Sequence, residues 1–104
     1  MSCIFCKINS GEIKAEKLYE DDVFFIIRDI NPLAKIHYLA IPKLHYSGLA
    51  DMNDANAVAV GHIFKTIGGL EKTLGIDKGY QLQVNQHEGG GQTVFHLHIH
   101  IMAT

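Results

Sequence analysis

The chain lacks a run of like charge: nine Lys and Arg stand against eleven Asp and Glu, for a net charge of -2. Without a basic stripe interleaved with aromatics, nothing tracks a nucleic acid backbone, and a DNA or RNA binder is excluded. No window approaches the eighteen consecutive apolar residues of a membrane span, and no charged N-terminal region precedes an apolar stretch, so no membrane partner and a cytoplasmic location are expected. Cysteine is scarce. Cys3 and Cys6, three apart in a reducing compartment, argue for metal or redox use rather than a structural disulfide. Repeats and low-complexity segments are also missing. At 104 residues, 47% hydrophobic, the chain suits a single domain over 1–104, small enough that a metal or a partner subunit would be useful support.

What the chain has in abundance is histidine, seven in all. Three recur at period two in a stretch expected as one strand over residues 89–102. Alternation puts His96, His98 and His100 on one face and Leu97, Ile99 and Ile101 on the other, with imidazoles about 6.6 Å apart. The reading upstream is coarse. Residues 4–8 form a short helix stopped by Gly11. Residues 17–20 and 23–27 form a hairpin about Asp21-Asp22, Pro32 breaks the chain, and residues 37–41 form a strand closed by Pro42. One long helix runs from about 53 to 74, with Val60, Ile63, Phe64, Ile67, Leu70 and Leu74 on its stripe, a cap among Asp51, Asn53 and Asp54, and Gly75 as its stop. Gly68-Gly69 inside it marks either the close approach of another element or an early end. Residues 80–86 alternate as a strand paired with the histidine strand, which brings Asn85 near the start of the latter. Strands with one long helix read as α+β.

Two constellations carry chemistry. A neutral imidazole is a competent nucleophile toward phosphorus, and His98, with a neighbour on each side, is best placed for it. His100 and His37 are candidate donors to phosphate oxygens, Thr93 a candidate proton source for a leaving group, and Gly89-Gly90-Gly91 can turn amides toward an anion. The second is Cys3-x-x-Cys6, which suits one Zn²⁺ with further ligands from distant histidines, although a redox pair would look the same.

The segment His96-Leu97-His98-Ile99-His100-Ile101-Met102 resembles the signature of the histidine triad (HIT) family. Ile4-Phe5-Cys6-Lys7-Ile8, Asp29-Ile30-Asn31-Pro32, Ile41-Pro42-Lys43 followed by His45, and Gly91-Gln92-Thr93-Val94-Phe95 resemble its Hint branch in order and spacing. The resemblance implies an α+β HIT-like fold, a five-stranded antiparallel sheet with one long and one short helix, in a homodimer. It implies hydrolysis of purine nucleoside 5'-monophosphate derivatives such as phosphoramidates, with dinucleoside polyphosphate hydrolysis, or nucleotide binding with little turnover, as alternatives. Position by position, His98 resembles the nucleophile and His37, His100 and Thr93 its supporting groups. Asp29 resembles the ribose acceptor, Phe5, Ile8, Ile27 and Ile30 the pocket for an AMP-like base, and Asn85, Gly91, Gln92 and Thr93 the phosphate contacts. The zinc-containing members suggest Cys3, Cys6, His45 and His96 as ligands of a structural Zn²⁺. Arg28 departs from the branch pattern, and the branch's glycine-rich tail is expected to be missing beyond Met102-Ala103-Thr104.

Overall fold

Asp21 shows how local chemistry starts the sheet. Its Oδ1 accepts from the backbone N–H groups of Val23 (2.8 Å) and Phe24 (3.0 Å), closing the turn between β1 (Tyr19–Glu20) and β2 (Phe24–Arg28). The computed structural model describes residues 3–104. There β2 pairs with β3 (Ile36–Pro42), β3 with β5 (Ile99–Ala103) and β5 with β4 (Gln81–Gln83), giving an antiparallel five-stranded sheet in the order β1-β2-β3-β5-β4. Alternation in β2 and β3 sorts the core onto two faces. Phe24, Ile26, Ala40, Ile99 and Ile101 pack with Ile63 and Ile67 of α2 (Asp54–Gly69), while Phe25, Ile27, Leu39 and Ile41 pack with Phe5 and Ile8 of α1 (Ile4–Ser10). Among the described residues no helix is long and apolar enough to cross a membrane.

α1 ends as expected, with Gly11 left-handed at φ 86° and its N–H on the Ile8 carbonyl. Asn53 is the cap of α2, in a reciprocal pair of hydrogen bonds with Asn56. The long helix expected over 53–74 is interrupted at Leu70, and a single further turn, α3 (Glu71–Leu74), runs to the left-handed Gly75. A Cβ added at Gly68 or Gly69 would meet nothing within 4 Å, so the glycines accompany the end of α2 and not a close approach. Phe64 lies off the buried stripe and is exposed, whereas Ile63, Ile67 and Leu74 are buried.

The strand expected over 89–102 is largely not a strand. A 3-10 turn occupies Glu88–Gly90, Gly91 is left-handed at φ 89°, and only Ile99–Ala103 enters the ladder. The ladder stops because its partner β3 ends at Pro42, which has no N–H to offer. The preceding residues turn to the loop beyond β3 instead, with the Leu97 N–H donating to the Tyr46 carbonyl at 2.8 Å. The strand expected over 80–86 is likewise cut to Gln81–Gln83.

Candidate active site and metal centre

The ends of the histidine stretch serve two different clusters. His96 is fully buried, and its Nε2–H donates to the Pro42 carbonyl at 2.7 Å. A carbonyl can only accept, so the lone pair of His96 lies on Nδ1, 3.4 Å from Cys3 Sγ, 3.7 Å from Cys6 Sγ and 3.2 Å from His45 Nδ1. Cys6 Sγ and His45 Nδ1 are 3.3 Å apart. A tetrahedral Zn²⁺ with Zn–S of about 2.3 Å and Zn–N of about 2.0 Å needs donors roughly 3.3–3.8 Å apart, so these four atoms fit a closed site of that geometry. Four protein ligands leave no open position, and a metal held there would tie α1 to the loop after β3 and to the histidine segment.

The second cluster is also fixed by backbone hydrogen bonds, with the opposite outcome. The Leu33 N–H donates to His37 Nδ1 at 3.0 Å, which forces the His37 proton onto Nε2. That N–H points at His100 Nδ1, 2.8 Å away, with an Asp29 carboxylate oxygen at 3.3 Å. His37 therefore has no lone pair to give a cation, although Asp29, His37 and His100 are close enough to suggest one. With Nδ1 accepting, His100 carries its proton on Nε2, a buried atom with no partner among the described residues. His98 completes the set. Its Nδ1–H donates to the His96 carbonyl at 2.8 Å, leaving the Nε2 lone pair without a partner among the described residues. Burial pushes His98 below the ordinary imidazole range, and burial with His98 and His37 alongside brings His100 to about 4, so both are neutral at pH 7.

A cavity of about 250 Å³ opens over these groups. His98, His100 and Asp29 border it with Phe5, Ile8, Ile27, Ile30 and Thr93, so the structure brings together eight of the residues singled out by sequence. Ile30 is largely solvent-exposed and forms its rim. His37 stands behind His100, while Asn85, Gly91 and Gln92 lie outside the lining. Gln92 is buried in a different role. Its Oε1 accepts from the His87 N–H (2.8 Å) and its Nε2 donates to the carbonyls of Ser47 (2.7 Å) and Val94 (3.2 Å), so no amide hydrogen is left for a phosphate. The expected phosphate contact from this side chain is replaced by a tie across the loop. Asn85 Nδ2 lies toward Gly91, as the expected proximity of the two segments requires. Sequence reasoning missed Leu33, whose contribution is a backbone N–H with no side-chain signal. It also missed Leu39, which alternation opposite His100 on β3 would have revealed.

Residues 2–104 match the family described as the scavenger mRNA decapping enzyme C-terminal binding domain. Protein HitA of Neisseria gonorrhoeae is 43% identical over 103 residues, 99% of this chain and 96% of its own. The chain belongs to the histidine triad (HIT) family. Among solved structures, a HIT family hydrolase from Legionella pneumophila superposes with a TM-score of 0.91 at 39% identity, over 98% of this chain and 92% of its own. A zinc-bound histidine triad family protein from Mycobacterium smegmatis does so with a TM-score of 0.83 at 36% identity, over 98% and 74%. The five-stranded sheet and flanking helices are thus those of the HIT fold. In this HIT protein the three histidines divide between a Cys₂His₂ cluster able to hold a metal and the floor of a cavity.

Proposed function

We propose that this protein is a hydrolase of purine nucleoside 5'-phosphoramidates working through a covalent nucleotidyl-histidine. One observation carries the reading: a His98 Nε2 lone pair and, beside it, a His100 Nε2–H, neither with a partner among the described residues and both in neutral rings with fixed tautomers. The first is a nucleophile at neutral pH and the second a donor for a non-bridging phosphate oxygen. The base packs among Phe5, Ile8, Ile27 and Ile30, and Asp29 accepts from a ribose hydroxyl. His98 Nε2 attacks phosphorus, the phosphorus–nitrogen bond breaks, and its electron pair leaves with the amine, which takes a proton from solvent relayed by Thr93, a proton that the attacking water gives back in the second step. Water then attacks the phosphorus, the bond to His98 breaks, and the nucleoside monophosphate departs.

His37 acts through His100, holding its donor face toward the phosphate, and Asn85 with Gly91 lies on the phosphate side. Cys3, Cys6, His45 and His96 hold a structural Zn²⁺, which supplies rigidity rather than Lewis acidity. The zinc-bound Mycobacterium protein and the Legionella hydrolase are consistent with both parts of the reading. We further propose a cytoplasmic homodimer. Intact-mass spectrometry of enzyme quenched during turnover of adenosine 5'-phosphoramidate tests the chemistry: wild type gains one AMP unit and His98→Ala gains none and is inactive. Turnover without an adduct, or an active His98→Ala, would overturn it, and faster turnover of diadenosine polyphosphates would move the substrate assignment to that class.

A further inference from the structure

The spacing Cys3-x-x-Cys6 suits a redox pair as well as a metal, and both sulfurs belong to the cluster whose ligand atoms all lie within 4.8 Å of one another. Cys3 caps α1 and Cys6 lies in its first turn, with the Cys6 N–H donating to Cys3 Sγ at 3.4 Å, so a small movement of two side chains brings sulfur to sulfur. Small solutes can reach the pair. Cys6 is half-buried, and Cys3 borders, with His45 and Ser47, a hollow of about 540 Å³.

What the pair controls follows from α1. Phe5 lies between the two cysteines in the chain, and its ring meets the His96 ring edge-on at 5.7 Å and the His98 ring at 5.1 Å. Phe5 and Ile8 also wall the cavity over His98. The helix has seven residues, too few to stand alone in water. Its ties to distant parts of the chain are the packing of Phe5 and Ile8 on β2 and β3 and the sulfur contacts to His45 and His96. A metal in the cluster makes bonds of those sulfur contacts, whereas a disulfide between residues three apart ties α1 only to itself.

We propose that Cys3 and Cys6 form a hydroperoxide-sensitive pair whose oxidation to a disulfide releases the metal and loosens α1 from the nucleotide cavity. The inference rests on the zinc and nucleotide readings above and adds to them a redox control. One thiolate sulfur attacks a peroxide oxygen, the oxygen–oxygen bond breaks, and hydroxide leaves a sulfenic acid behind. The second thiolate attacks that sulfur, the sulfur–oxygen bond breaks, and a second hydroxide departs. Two protons from solvent make both hydroxides water, and two electrons have passed from the sulfurs to the peroxide. A Zn²⁺ left with the His45 and His96 imidazoles alone has lost half of its closed site. α1 is then held by Phe5 and Ile8 only, and the wall they make loosens.

The test treats zinc-loaded protein with a modest excess of hydrogen peroxide. One Zn²⁺ per chain passes to a chromogenic chelator, and the tryptic peptide ending at Lys7 loses two hydrogens. Amides of residues 4–10 exchange faster, and AMP affinity by calorimetry falls about tenfold. Dithiothreitol with added Zn²⁺ restores all four, which oxidation of methionine would not allow. Retained zinc, a cysteine that gains oxygen instead of losing hydrogen, or unchanged exchange over residues 4–10 would overturn the switch, as would an unchanged AMP affinity. Zinc release and faster exchange in a protein that binds no AMP before treatment would sink the nucleotide reading and leave the oxidation site standing. A chain that takes up no Zn²⁺ refutes the metal reading and the switch together.

Discussion

At the scale of single residues, backbone hydrogen bonds assign the histidines their work. Leu33 N–H, the His96 carbonyl and the Pro42 carbonyl each fix which nitrogen of a ring carries its proton, and in the proposed function those assignments separate ligand, nucleophile and donor. The depressed values of His98 and His100 set the pH behaviour. A group whose folded pKa lies below its unfolded one gives up its proton early, so His98, the proposed nucleophile, stays neutral below the ordinary imidazole midpoint. The acid limb of kcat/KM is expected below about pH 6.5, and a fall already centred above it would refute this assignment. The same shift has a cost in stability. The unfolded chain takes up protons that buried His100 refuses, so stability is full above about 6.5. It falls by on the order of 3 kcal/mol as pH drops toward about 4.

At the scale of elements, most boundaries follow from local rules, and the exceptions have identifiable causes. Gly11 and Gly75 stop their helices, and Asp21 builds its turn while binding the Tyr19 hydroxyl (2.9 Å) and facing His62 of α2 (2.7 Å). Burial pushes the Asp21 carboxyl up, but the donors at His62, Val23, Phe24 and Tyr19 outweigh it and hold it at about 2. Gly68 is exposed, helical and clear of neighbours, so Gly68→Ala should stabilise the protein by about 0.5–1 kcal/mol in denaturant unfolding. A loss instead would indicate that the face carrying Gly68 packs against a second subunit. The histidine stretch departs from its expected strand because an alternating pattern specifies which way side chains point, not whether a partner strand continues beside them. His96 and His98 keep the alternation while lying outside the ladder.

At the scale of the molecule, the Cys₂His₂ cluster brings together parts of the chain separated by as many as 93 positions, Cys3 and His96, and a metal held there would link them. A small domain gains most from such a link, and metal affinity there is folding free energy. Purified protein should carry one zinc per chain by elemental analysis. Cys3→Ser should lose it and lower Tm by about 5 °C or more, whereas His37→Ala and His98→Ala should retain it. Loss of metal on His98→Ala would place that residue among the ligands and overturn the division of the triad.

The sequence by itself determined which residues share a face, where helices α1 and α3 stop, and which residue types are available: two thiols, seven histidines and an apolar set about Asp29. Those are properties of period, turn chemistry and composition, all local. Only the tertiary structure decided that His96 turns to Cys3 and Cys6 while His98 and His100 turn to the cavity. It alone set Leu33 behind His37 and engaged the Gln92 amide in its loop. Each of these depends on backbone groups, some brought up from a distant part of the chain, as Pro42 to His96 and Ser47 to Gln92, and some turned by a local bend, as Leu33 to His37 and His96 to His98. Every residue but proline carries both groups, so the sequence has little mark for where they act.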